Sequence, residues 1–234
     1  MRRQMVTLAL AAGVLATGTP ASAQDARPGM AVLPFESGGS YGKDREDFDA
    51  LRRGLAAMLI SELTQNPAVR LVERERIQQV LDEQNLSNAA RVDAATAAKV
   101  GKLVGARYMI AGTFIDFYGD FRIDARIIDV ETGEIIKVVR NDPKLSDRKQ
   151  MFRMIQSLAE RIMEGTKLPA LPVGRVQGAK SRDVPTEALA LYSRALLYQD
   201  RGDRQRAIEY YQKALAAFPD YTEASEGLKR IRGS

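Results

Sequence analysis

The sequence predicts an α/β domain over residues 29–167, a mixed sheet with flanking helices, followed by a small all-α helical hairpin at 186–232. Three observations carry that reading. Short apolar runs at 30–35 and 69–72 are separated by a long segment of helical period, the pattern of a strand-helix-strand unit. Three further strand-like segments follow one another closely between residues 107 and 139, with turn residues between the later ones. After a proline- and glycine-rich stretch, the last segment changes to small residues and aromatics at helical spacing.

Residues 1–23 read as a signal peptide. Met1-Arg2-Arg3 is a basic start, residues 6–16 are an apolar core, and Ala21-Ser22-Ala23 places small residues where signal peptidase needs them. A spanning helix needs ~20 apolar residues, and this run is about half that length. No other stretch is apolar enough to span a membrane, and none is expected after cleavage ahead of Gln24.

The first strand, at 30–35, is nearly continuous in apolar residues and so belongs inside. Residues 36–43, with Gly38, Gly39 and Gly42, read as a flexible loop. Phe48, Leu51, Leu55, Met58, Leu59 and Leu63 recur at helical spacing and build one apolar face. That helix stops near Asn66 because Pro67 cannot continue it. The strand at 69–72 should therefore lie parallel to the first, across a helical crossover.

A helix begins near Arg74 with Ile77, Val80 and Leu81 on one face and Gln79 opposite. Asp93 can cap the next helix, which Gly105 ends. In the meander, a three-residue loop at 118–120 would put Ile115 and Phe117 on one face with Phe121 and Ile123, and Asp116 opposite Arg122. Glu131-Thr132-Gly133 makes the next turn, and 135–139 the last strand. Residues 145–167 form a closing helix with Met151, Met154, Ile155, Leu158 and Ile162 inward.

Four of these segments, in order, resemble the CsgG family of curli-secretion components and its LpoB- and FlgO-type relatives. They are AVLPFE at 31–36, VERERIQQVLDEQNL at 72–86, GARYMIAG at 105–112 and IDARIIDVETGE at 123–134. Glu73, Arg74, Gly105, Gly112 and Gly133 are the motif positions that the resemblance marks as structural. Arg107 departs from it, since an acidic residue is common after Gly-Ala. Glu73-Arg74 reads as an ion pair at a strand-to-helix junction. The resemblance implies a periplasmic component of an outer-membrane assembly, in a family whose best-known members are lipoproteins. Pore-forming members carry extra membrane-spanning hairpins. Here the one candidate hairpin, at 112–131, is used by the domain's own sheet and carries Asp116, Arg122, Asp124 and Arg126.

Composition narrows the chemistry. The chain has no cysteine and no histidine, so disulfides, thiolate ligands, a lipid-acceptor cysteine and the usual neutral-pH base are all missing. No nucleophile–base pair or metal-ligand cluster stands out, so no catalytic, cofactor-binding or metal-binding residue is assigned and no cofactor is expected. The formal charge is +5, and loss of Arg2 and Arg3 leaves 33 basic against 30 acidic residues. That slight excess comes without a basic stripe or aromatic interleaving, so no nucleic-acid partner is expected.

Residues 168–185, with three prolines, form a linker expected to insulate the domain from the C-terminal helices. With Ala188 as the first position of a 34-residue unit, Ala195, Tyr198, Ala207, Tyr211, Ala214 and Pro219 fall where a tetratricopeptide repeat places small, aromatic and proline residues. The stretch 221–232 resembles the helix that caps such arrays. One repeat with a cap cannot bury a stable core, since ~3 are needed, so it must dock on the main domain, on a second copy or on a partner. Leu189, Tyr192, Leu196 and Gln199 are the expected partner contacts on its groove side. The functional expectation is a non-enzymatic periplasmic component of an outer-membrane assembly or secretion system, acting by protein contacts and self-association. The alternative is an LpoB-like activator that binds a peptidoglycan synthase.

Overall fold

The computed structural model describes residues 25–39, 45–86, 92–117, 120–169 and 183–233. The expected signal peptide, residue pair 118–119 and most of the expected linker lie outside them.

β1 (Gly29–Val32) sits inside the sheet, with its four residues buried. α1 (Arg45–Thr64) leads from it to β3 (Arg70–Leu71), which pairs parallel with β1 through Gly29↔Arg70 and Met30↔Leu71. The crossover is therefore the one that the spacing implied. β4 (Tyr108–Phe117) pairs parallel with the other side of β1, and β5 (Asp120–Asp129) and β6 (Ile135–Arg140) continue the sheet antiparallel. The strand order is β3-β1-β4-β5-β6. This is the expected mixed α/β sheet with flanking helices.

Two details differ from the sequence expectation. Glu36 and Ser37 are not loop: they form β2 (Glu36–Ser37), parallel to β4, because the chain keeps following that strand. Gly38 continues the contact by donating its N–H to the Phe114 carbonyl at 2.8 Å. The hairpin register is also shifted by one. β4 and β5 close at Phe117↔Asp120, so two residues join them, and Ile115, not Asp116, faces Arg122. A one-residue shift exchanges the faces: Phe114 now lies with Phe121 and Ile123 in the core, while Phe117 is exposed. Phe48, Phe114 and Phe121 stack in sequence at 6.0 and 5.7 Å.

Helices cover both faces. α2 (Arg74–Glu83) and α3 (Ala94–Val104) pack on one, where Ile77, Val80, Leu81, Ala97 and Val100 meet Ala31, Met109 and Ile128. Asp93 caps α3 by accepting the Thr96 N–H at 2.7 Å. That bond holds the Asp93 carboxyl below the ordinary aspartate range. Gly105 ends the helix at φ +67°, a conformation that a side chain would strain. Gly112 allows a close approach of another kind, since a Cβ there would lie 2.0 Å from the Phe35 ring. Arg107, the departure from the family pattern, donates to Asp129 at 2.8 Å and also to Glu131.

α1 and α4 (Met151–Gly165) cover the other face, with α4 burying Met151, Met154, Ile155, Leu158 and Ile162 as its period predicted. Gln79 on α2 is exposed whereas Leu81 is 3% exposed. Leu81→Ala should therefore lower stability by about 3 kcal/mol, the cost of a buried cavity, and Gln79→Ala should change it little. Equal shifts in urea midpoint would show that the α2 register is wrong.

Candidate functional site

α1 is unusual in being buried nearly all round. Leu51, Leu55, Met58, Leu59 and Leu63, which the period picked out, are buried, but Arg53, Gly54, Ala57 and Glu62 are buried as well. Arg53, Gly54 and Ala57 lie under the C-terminal helix α5 (Thr186–Asp200), which packs in turn with α6 (Arg204–Ala217) and through it α7 (Thr222–Gly233), while Glu62 meets Gln156 of α4. Leu189, Tyr192, Leu196, Tyr211 and Tyr221 belong to the same apolar cluster as Leu55, Met58 and the sheet residues. The repeat has docked on its own main domain.

The closest approach uses small residues. A Cβ on Gly54 would lie 1.8 Å from Ser193 Oγ and 3.3 Å from Ser193 Cα. Ser193 turns its hydroxyl inward along α5 and donates to the Leu189 carbonyl at 2.7 Å. An exposed helical glycine is normally improved by alanine, by about 1 kcal/mol. Here the sign should reverse: Gly54→Ala should destabilise the chain by about 1–3 kcal/mol through overpacking. A raised melting temperature would contradict the close crossing.

At one end of this interface three charges meet. Asp200 of α5 accepts from Arg53 Nε at 2.9 Å and from Arg74 Nη1 at 2.8 Å. The side chains are 10%, 10% and 6% exposed for Arg53, Arg74 and Asp200, so each charge depends on the others for its solvation. Burial works against the Arg74 charge, but Asp200 and Glu75 outweigh it and hold its pKa above the ordinary arginine value. The Arg74 Nε hydrogen has no acceptor and is buried. The expected Glu73–Arg74 pair is not formed: Glu73 is exposed at the start of α2, and its neighbour turns instead to Asp200.

A looser polar rim surrounds this centre. Arg201 reaches Glu46 at 3.3 Å and Asp49 at 3.2 Å, Arg194 binds Asp47, and Tyr198 donates to Glu46 at 2.7 Å. These exposed pairs contribute little each; they set orientation. Tyr198 also stacks on Tyr210 at 5.3 Å, with Arg206 over its ring. Beside the rim, a cleft of about 160 Å³ opens between α1, the turn Arg148–Gln150 and α5. Its walls include Asp47, Leu51, Arg148, Met151, Leu189 and Arg194.

The other motif positions fall inside the repeat. Ala195, Ala207 and Ala214 are fully buried where helices cross, Tyr211 donates to Gln199 at 2.6 Å, and Pro219 is exposed in the turn after α6. Of the expected groove residues, Leu189 and Leu196 are fully buried and Tyr192 is 4% exposed, packed against Tyr211 and Tyr221. Gln199 is half-buried. The groove is thus covered by α1 of the same chain, and these four do not form an open surface for a partner. Gly54, Arg53 and Asp200 were not picked out beforehand. A glycine in the middle of an apolar helix was the available signal.

Burial pushes the Tyr192 and Tyr211 phenols well above the ordinary tyrosine value. Their folded pKa lies above the unfolded one, so the stability they confer is complete below about pH 10 and is lost as pH rises beyond it. The urea midpoint should fall steeply in that range, and less steeply in Tyr192→Phe. A slope unchanged by the substitution would remove Tyr192 from the account.

Residues 16–122 match the family model described as Curli production assembly/transport component CsgG, and residues 188–221 match the tetratricopeptide repeat. The chain thus has a segment similar to the CsgG family, followed by one similar to a tetratricopeptide repeat. The CsgG match ends in β5, so the Thr-Gly-Glu turn lies beyond it. The repeat match spans the 34 residues that begin at Ala188. No curated protein matches the sequence. Among solved structures, the C-terminal domain of LpoB from Salmonella enterica is 20% identical over 51% of this chain and 84% of its own, with a TM-score of 0.33. LpoB from E. coli is 18% identical over 49% of this chain and 56% of its own, at 0.39. Lipoprotein GNA1162 from Neisseria meningitidis is 14% identical over 58% of this chain and 99% of its own, at 0.39. Within the described residues, no helix is long and apolar enough to cross a membrane, and no group of three or more acidic residues could hold a metal ion.

Proposed function

We propose that this chain is a non-enzymatic periplasmic component of an outer-membrane assembly or secretion system, and that it works as a preassembled scaffold. The observation that carries this reading is the buried Arg53–Asp200–Arg74 junction, which fixes the repeat to the CsgG-like segment as one body. A repeat so held presents the outer faces of α6 and α7 at a constant angle to the sheet, and their exposed residues are mostly polar. Such a composite surface suits protein contacts, including contacts with further copies. A sequence without cysteine or histidine suits a structural part better than a reactive one.

The test is photocrosslinking in intact cells from Gln205 and Glu209, which are exposed on α6. Capture of outer-membrane or secretion proteins, or of the chain itself, is the expected result. Capture of a bifunctional cell-wall synthase alone would replace this reading with the synthase-activator one. No adduct from either position would overturn the scaffold.

A further inference from the structure

β6 is the open edge of the sheet, next to β5 alone in the strand order. Native edges are usually blunted by charge, proline or a covering element. This one is not fully blunted. Ile135, Ile136 and Val138 are 44%, 47% and 60% exposed, three of the five exposed large apolar residues among the described ones. Asn141 donates its N–H to the Ile123 carbonyl at 3.1 Å. Bonded positions alternate along an antiparallel ladder, so Val139 and Lys137 bond inward, while Val138 and Arg140 turn their N–H and C=O groups outward. Beside that edge runs a groove of about 440 Å³, walled by β6, Pro143 and the α4 residues Arg161 and Glu164.

The two faces of the edge differ in chemistry. Val139 and Lys137 point to the α4 side, where Val139 is buried and a Cβ on Gly165 of α4 would lie 3.2 Å from Lys137 Cδ. Lys137 and Arg161 lie on this side, and among the described residues neither is ion-paired. Ile136 and Val138 are exposed on the opposite side. Arg140 on that side already holds Asp124 at 2.7 Å. A strand added to β6 would therefore meet Lys137 and Arg161 beside the carboxylate of Glu164 on one face, a net positive side, and apolar side chains on the other.

We infer that β6 takes up an extended segment of a partner protein in which acidic and apolar residues alternate. Main-chain bonds to Val138 and Arg140 hold the segment, its carboxylates face Lys137 and Arg161, and its apolar residues cover Ile136 and Val138. A second copy of this chain is a poor occupant. Antiparallel pairing of two β6 strands about Val138 would set each Lys137 opposite the other copy's Val139 and gather both Lys137 and both Arg161 side chains on one face, a like-charge grouping that an acidic segment avoids. This surface is separate from the docked repeat and does not depend on which assembly the chain serves.

The full chain, titrated with a short fluorescein-labelled peptide alternating glutamate with valine, should bind saturably. The lysine–valine counterpart and the variant Arg161→Glu should each bind at least about tenfold more weakly, the scale of one lost charge contact. Val138→Pro should abolish binding, because it removes an outward N–H while leaving the ladder to β5. Unchanged melting temperatures verify that both variants fold. Amide exchange at Val138 should slow when the glutamate peptide is present. Equal affinity for the two peptides, full binding by Arg161→Glu, or unaltered exchange at Val138 would overturn the inference. So would a dimer that forms without peptide and disappears in Val138→Pro, which would make the occupant a second copy.

Discussion

Asp200→Ala should lower the stability of the whole protein by about 3–5 kcal/mol, the usual cost of leaving a buried charge without its partner. The loss falls unevenly on the two arginines. Arg53 keeps Asp49 at 3.1 Å, whereas Arg74 is left with Glu75 at 3.6 Å, on a side chain that is itself 40% exposed. Arg74 already has one N–H buried without an acceptor, so it should carry most of the penalty. Removing both sides of the pair is a different experiment. Asp200→Leu combined with Arg74→Met should recover much of the loss, since an apolar contact of similar volume avoids the desolvation that the ion pair only just offsets. Five of the eight tyrosines lie between residues 186 and 233, so their near-ultraviolet signal reports on the repeat while far-ultraviolet ellipticity reports on the whole chain. Both urea transitions should shift together in Asp200→Ala. If only the tyrosine signal moved, the junction would be holding the repeat without contributing to the main domain.

The features visible in the sequence divide from the hidden ones along physical lines. The buried face of α2, the Asp93 cap and the Gly105 terminus were legible because each rests on residues within a few positions of one another, and the parallel crossover because two apolar runs flank one long helical period. The hairpin was half legible. Its strands alternate clearly, but loops of two and three residues both fit the turn residues, and that one-residue choice decides whether Phe114 or Ile115 enters the core. The second buried face of α1 was hidden because Gly54 and Ala57 carry little apolar signal; small residues matter there by their absence of bulk. Asp200 and Arg74 are 126 positions apart, and neither looks unusual locally, so only the fold brings them together. The repeat pattern put Leu189, Tyr192, Leu196 and Gln199 on the groove side as partner contacts; nothing in a single repeat says that α1 of the same chain covers that side.

Ala207→Glu should be the most damaging single change in the C-terminal helices, at about 4 kcal/mol or more, where a buried charge and overpacking act together. Ala207 is fully buried where α6 meets α5, and Tyr211 one turn later fills the space between them. A carboxylate there must force the helices apart or be pushed into its neutral form. Were the linker to insulate the main domain, the damage would stop at the repeat. The shared cluster argues otherwise, because Leu189, Leu196 and Tyr221 pack with Leu55, Met58 and the sheet residues as one core. Tyr221 even donates to Met58 Sδ at 3.1 Å across the interface. Splaying α5 from α6 should expose the far side of α1, and the far-ultraviolet midpoint should fall with the tyrosine signal. Ala216→Glu on the exposed side of the same helix should stay within about 0.5 kcal/mol of the parent and serves as the control for charge alone. A main-domain transition left in place by Ala207→Glu would mean that α1 can do without its cover. The repeat would then be a detachable module, and the scaffold reading would lose its footing.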